Sequence, residues 1–156
     1  MKKIVYTLIV SILFVACSSS SDEEKDPIFN EDGVAIAGYD PVAYFEQGEA
    51  KIGTKAESVS HEGLIYYFSS TKNRALFEEN PTQYLPAYGG WCAYAVAESS
   101  TKMEPDPTMW QIQDGQLQLF YDDWMTSLTG SLKEEWNGDP DSYKVKADSN
   151  WESINK

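Results

Sequence analysis

Residues Tyr66 to Ala97 read YYFSSTKNRALFEENPTQYLPAYGGWCAYAVA, and their order decides the fold. An aromatic strand end, Tyr66-Tyr67-Phe68, runs into Ser69-Ser70, and Ser70 stands where it can cap a helix over about residues 71–79. Asn80-Pro81 stops that helix and opens a short one over 81–85, because proline fits a first helical position whose N–H would be unpaired anyway. Gly89-Gly90 then makes a sharp turn, or lets the backbone approach a neighbour closely, just before Trp91 and Cys92.

Outward from this stretch, two hairpins are legible. Upstream, residues 57–61 and 64–69 flank a turn at Glu62-Gly63, which sets His61 beside Leu64 and on the face of Tyr66 and Phe68. Downstream, Trp110-Gln111-Ile112-Gln113 and Gln116-Leu117-Gln118-Leu119 alternate apolar residues and glutamine around Asp114-Gly115. Pairing across that turn puts Ile112 opposite Leu117 and Trp110 opposite Leu119. Asp-Pro pairs punctuate the rest at Asp26, Asp40, Asp106 and Asp139, and predict further short helices over 41–47 and 140–146. Trp124, Leu128, Leu132 and Trp136 recur every four residues, an amphipathic helix signature interrupted by Gly130. The reading is a small α+β single domain over residues 28–156, with two β-hairpins and several short helices.

The first residues stand apart. Lys2 and Lys3 precede a 13-residue, almost unbroken apolar run from Ile4 to Ala16. A membrane-spanning helix needs about 20 such residues, so the run fits a signal peptide over 1–16. Leu13-Phe14-Val15-Ala16-Cys17 is similar to the bacterial lipobox, with Phe14 where leucine is usual. The alternative is an ordinary secretory signal with a chance cysteine. Lipidation at Cys17 would anchor the chain to a membrane, at about 0.8 kcal/mol per buried methylene. Ser18 to Ser21 and the acidic run to Asp26 read as a flexible tether over 17–27. The implied location is the outer membrane, facing periplasm or cell surface.

The whole chain of 156 residues carries a formal charge of −13. Loss of residues 1–16 removes two lysines and no acids, leaving ten basic and 25 acidic side chains and a charge of −15. Such a surface repels phosphate backbones, so no nucleic-acid partner is expected. With Cys17 lipidated, Cys92 stands alone and has no intramolecular disulfide partner. One cysteine and the sole histidine, His61, are too few for a zinc finger, an iron–sulfur cluster, C-x-x-C-H haem attachment or a thioredoxin-type motif.

Several motifs in order resemble the YHS domain family, in its secreted stand-alone branch. They are Gly33-Val34-Ala35-Ile36-Ala37-Gly38-Tyr39-Asp40-Pro41-Val42-Ala43-Tyr44-Phe45, Gly63 to Phe77, Asn80-Pro81 with Tyr84-x-Pro86-x-Tyr88-Gly89-Gly90-x-Cys92-Ala93, Asp106-Pro107-x-x-Trp110 and Asp148-Ser149-Asn150-Trp151. The resemblance covers most of residues 33–151. Metal-linked members of the wider group carry Phe-Cys-Ser-x-x-Cys where this chain has Phe68-Ser69-Ser70-Thr71-Lys72-Asn73. A hydroxyl and an amide replace two thiolates, which implies that the family's soft-metal site is lost here.

Cys92, small and aromatic-flanked, reads first as a buried inert thiol; a metal or haem-type ligand and a reactive or intermolecularly paired thiol are the alternatives. Cys92 with His61, and a thioether from Met103 or Met109, is the one donor set suited to copper or another soft metal. His61 at a hairpin tip reads otherwise as a surface residue. Tyr88, Trp91 and Tyr94 flank the glycines and are the residues expected to line a ligand pocket with Cys92 and His61. Adjacent carboxylates such as Glu78-Glu79 point apart on a helix and make poor catalytic pairs. With no nucleophile or phosphate-loop motif, the expectation is a non-enzymatic binding module for a metal or small ligand. The alternative is a module that docks an envelope protein, with Cys92 structural.

Overall fold

The computed structural model describes residues 26–123, 126 and 130–155. The leader at 1–16, Cys17 and most of the tether therefore lie outside the described residues, as do Trp124 and Leu128 of the expected amphipathic helix. Three acidic-residue–glycine pairs give the sheets their turns. Asp32-Gly33, Glu62-Gly63 and Asp114-Gly115 all have positive φ at both positions, between 49° and 84°. That is the two-residue turn whose twist matches antiparallel strands.

The first joins β1 (Asn30–Glu31) to β2 (Val34–Ala35), and the second joins β3 (Thr54–His61) to β4 (Leu64–Phe68). Pairing of Val34 with Ile65 lays β2 parallel to β4, giving a four-stranded sheet in the order β1-β2-β4-β3. His61 pairs with Leu64 as the spacing predicts. The third turn joins β5 (Asp106–Gln113) to β6 (Gln116–Phe120), with Trp110 opposite Leu119 and Ile112 opposite Leu117, again as expected.

Helices fill the intervals. In α1 (Pro41–Glu46), Asp40 Oδ1 accepts the Val42 and Ala43 N–H groups. In α2 (Thr71–Glu79), Ser70 accepts from Asn73 N, and Asn80 leads directly into α3 (Pro81–Tyr84). A tight 3-10 turn over Ala87–Gly90 precedes α4 (Ala93–Ser99). Ser131 and Glu134 form a reciprocal cap on α5 (Leu132–Gly138), and Asp139 caps α6 (Pro140–Ile154).

Two sequence expectations are corrected here. Gly130 at φ 101° and the extended Ser131 start a new helix, so Leu132 and Trp136 belong to α5 rather than to one helix running through residue 130. The helix begun at Pro140 runs to Ile154, well past residue 146, because its inner face continues through Ala147 and Trp151. Among the described residues no helix is long and apolar enough to cross a membrane.

The core has two parts with β6 between them. Tyr66, Phe68, Phe77 and Tyr84 pack with Leu117 and Leu119 in the first. Phe120 packs with Trp91, Val96, Trp136 and Ala147 in the second. Parallel bridges from Pro86 to Leu117 and from Cys92 to Leu119 pin the glycine turn along β6. Asn150 on α6 donates to the carbonyls of Val96 and Ala97 at 2.9 Å each, satisfying the C-terminal end of α4. The result is one small α+β domain.

Candidate functional site

Cys92 is fully buried. Its Sγ accepts the Tyr121 N–H at 3.2 Å, and its own N–H donates to the Met103 carbonyl at 3.0 Å. Burial raises the thiol above its ordinary value, partly offset by backbone N–H groups of Ala95, Tyr121 and Tyr94. A thiol so placed is a packing group of low reactivity.

The three aromatic candidates are occupied as well. Tyr88 donates its hydroxyl to Asp148 at 3.0 Å, and Trp91 donates its indole N–H to the Asp26 carbonyl at 3.1 Å while resting edge-on against Phe29. Tyr94 packs against Tyr143. His61 sits on the other sheet, its ring edge-on to Phe77 at 5.6 Å and to Tyr66 at 6.1 Å. The partners of His61 and Cys92 do not overlap, and among the described residues no three His, Cys, Asp or Glu side chains form a group that could hold a metal.

Ser69 and Asn73 do belong to a polar centre. Asp40 is completely buried, and its Oδ2 accepts the Ser69 N–H at 2.7 Å, the Ser69 hydroxyl at 2.6 Å and the Asn73 amide at 2.7 Å. With the two cap bonds at Oδ1, this one carboxylate ties α1, the end of β4 and α2 together. Gln47 Nε2 completes the network by donating to Asn73 Oδ1 at 3.2 Å. Every acceptor site is filled from the chain itself, so the centre holds the fold and offers nothing to a ligand.

An open site lies elsewhere. A cavity of about 330 Å³ is formed where five segments meet: Pro27-Ile28, the Glu62 turn, Tyr66 of β4, Leu85-Pro86 with Gly89, and Trp151 with Asn155 of α6. A second cavity of about 200 Å³ adjoins it, sharing Pro27, Ile28 and Glu62. Gly89 makes the junction possible, since at φ 60° a Cβ there would collide with the Pro27 carbonyl oxygen. The glycine pair thus makes both the sharp turn and the close backbone approach, the two alternatives its sequence leaves open.

One residue lining the larger cavity, Tyr66, carries an anomaly. Tyr66 is fully buried, yet its hydroxyl has no hydrogen-bond partner within the protein. Burial and the charge of Glu62 push its pKa up to about 12, so it remains a neutral donor at physiological pH. Such a group costs about 1–3 kcal/mol when left unpaired.

The sequence places a pocket at Tyr88, Trp91 and Tyr94. Of that stretch, Gly89 is the residue that reaches the cavity, while the three rings pack inward. Tyr66 reads from sequence as part of an aromatic strand end, and nothing in its spacing reveals an unpaired hydroxyl. Trp151 lies 85 residues from Tyr66 in the sequence. The chain matches no family model, no curated protein and no solved structure.

Proposed function

We propose that this chain is a lipid-anchored binding module of the bacterial envelope, of the YHS type, whose domain holds a small organic ligand rather than a soft metal and performs no chemistry of its own. The observation that carries this reading is a mixed apolar and polar cavity among whose lining residues is Tyr66, with a buried hydroxyl that has no partner within the protein. Ligand pockets have this make-up: apolar walls with a few placed polar groups. Cys92, the residue a soft metal would need, is fully buried with its sulfur engaged by the Tyr121 N–H.

Ligand-observed NMR on the full chain in lipid nanodiscs, with a library of fragment-sized organic molecules, tests the reading. Hits are expected to vanish in Leu85→Arg, which fills the groove, and to persist in Cys92→Ala. An absence of hits, or hits unmoved by Leu85→Arg, would sink it. A second reading, docking of an envelope protein, draws on Ile65, which faces away from Tyr66 and Phe68 and is 41% exposed, and on Ile52, 60% exposed. Its mark would be a partner whose binding is lost in Ile65→Lys but kept in Leu85→Arg.

A further inference from the structure

The groups around the groove restrict what can occupy it. A neutral tyrosine hydroxyl without a partner is a donor in need of an acceptor oxygen or nitrogen. Glu62 at the rim is 64% exposed in its side chain and stands 3.9 Å from His61 Nε2. It presents a carboxylate, which accepts hydrogen bonds and attracts cations. Asn155, exposed at the end of α6, adds an amide able to donate and accept. Between these, Ile28, Leu85, Pro86 and the Trp151 ring supply apolar surface.

Charge narrows the class further. Glu62 faces the larger cavity and Asp26 the adjoining one, and neither is lined by a Lys or Arg. Lys102 lies over the Trp151 ring at 5.6 Å from its centroid and is not among the lining residues. The chain as a whole is strongly acidic. An anion entering here would meet repulsion at the rim and from the whole surface. The volume, about 330 Å³, stands at the low end of the roughly 300–1,000 Å³ usual for small-molecule sites, so the occupant is compact.

Resting on the groove being the binding site, we infer that its ligand is a compact cationic or neutral organic molecule with an apolar, flat body, which gives an acceptor oxygen to the Tyr66 hydroxyl and a donor or cation to Glu62. Tyr66 and Glu62 are thereby the specificity-determining pair, one reading the acceptor and the other the charge.

Three probes of matched size test this in NMR titrations of the full chain in lipid nanodiscs. They are 4-(aminomethyl)acetophenone, which has cation and acceptor; 4-ethylbenzylamine, which lacks the ketone; and 4-acetylbenzoate, which exchanges the cation for an anion. The first is expected to bind roughly tenfold more tightly than either of the others, the scale of one hydrogen bond or one close charge. Tyr66→Phe should lower the first to the level of the second and leave the second unchanged. Glu62→Gln should close most of the gap between the first and the third. Equal binding of all three, preference for the benzoate, or indifference to Tyr66→Phe would overturn the ligand class while leaving the groove as a site. No binding of any probe, together with no hits from the wider fragment library, would remove the groove reading beneath it. Melting curves of both variants, expected to match or exceed the parent, show that the domain remains folded.

Discussion

Asp40→Asn isolates the buried polar centre formed by Asp40, Ser69 and Asn73. The substitution keeps shape and keeps Oδ1, which goes on accepting the Val42 and Ala43 N–H groups that start α1. At Oδ2 an NH2 group would face three donors, the Ser69 N–H, the Ser69 hydroxyl and the Asn73 amide. The Ser69 hydroxyl can rotate and become an acceptor. The other two cannot adapt so simply, because the Ser69 N–H is fixed in the backbone and an Asn73 flip would break its bond from Gln47. Two buried donors lose a charged partner, at about 1.5–3 kcal/mol for each such bond, with partial relief from relaxation. The net loss should be about 3 kcal/mol, a large fraction of the roughly 5–15 kcal/mol that holds a domain of this kind. Equilibrium urea unfolding followed by tryptophan fluorescence measures it, read at constant slope so that the change is one of stability. Ser69→Ala, which removes the hydroxyl's bond to Asp40 and the longer one it accepts from the Asn73 amide at 3.3 Å but keeps the carboxylate, should lose about half as much. An Asp40→Asn protein within about 0.5 kcal/mol of the parent would refute the claim that this carboxylate joins α1, β4 and α2.

Tyr66→Phe should be neutral or stabilising by up to about 1 kcal/mol in the same assay, because it removes a buried hydroxyl that has no partner; a clear loss would mean that the hydroxyl is paired within the protein. Gly89→Ala should destabilise by at least about 1 kcal/mol, since its φ of 60° strains an L residue and its methyl meets the Pro27 carbonyl. Near-ultraviolet circular dichroism should change with it, because the displaced segment carries the Asp26 carbonyl that accepts from the Trp91 indole. Alkaline pH should unfold the domain. Burial raises the Cys92 thiol above 9.0 and pushes Tyr66 up to about 12, so the unfolded chain releases these protons first. Stability is then complete below about pH 9 and falls as pH rises through the tyrosine range, which a pH series of urea midpoints would show. Thiol labelling of Cys92 at pH 8 should proceed at the rate of global unfolding, and rapid labelling of the native protein would contradict its burial.

Much of the architecture was legible because its signals are local. The Ser70 and Asp40 caps, the Asn80-Pro81 break and two of the three acidic-residue–glycine turns each act within four residues. The third, Asp32-Gly33, joins strands of two residues, too short to show alternation. Helix α4 gives no such local signal, since Cys92 at its start makes no side-chain cap. The division at Gly130 was obscured by a four-residue rhythm that spans the break by coincidence of spacing. Cys92 as a packing residue followed from its small, aromatic-flanked setting. The groove did not, because it exists only where residues 27, 62, 66, 85 and 151 converge, and tertiary packing alone brings them together. Asp40 read as a helix cap, and its role at Ser69 and Asn73 depends on contacts 29 and 33 residues away.

The most direct test of the account is a residue-resolved map of binding. Proton–nitrogen NMR spectra of the full chain in lipid nanodiscs, titrated with 4-(aminomethyl)acetophenone, would be compared residue by residue. Saturable shifts are expected at the Ile28, Glu62, Leu85 and Gly89 amides and at the Trp151 indole. Shifts gathered instead around Cys92, Met103 and Tyr121, or a spectrum unchanged at saturating probe, would contradict the groove as the binding site.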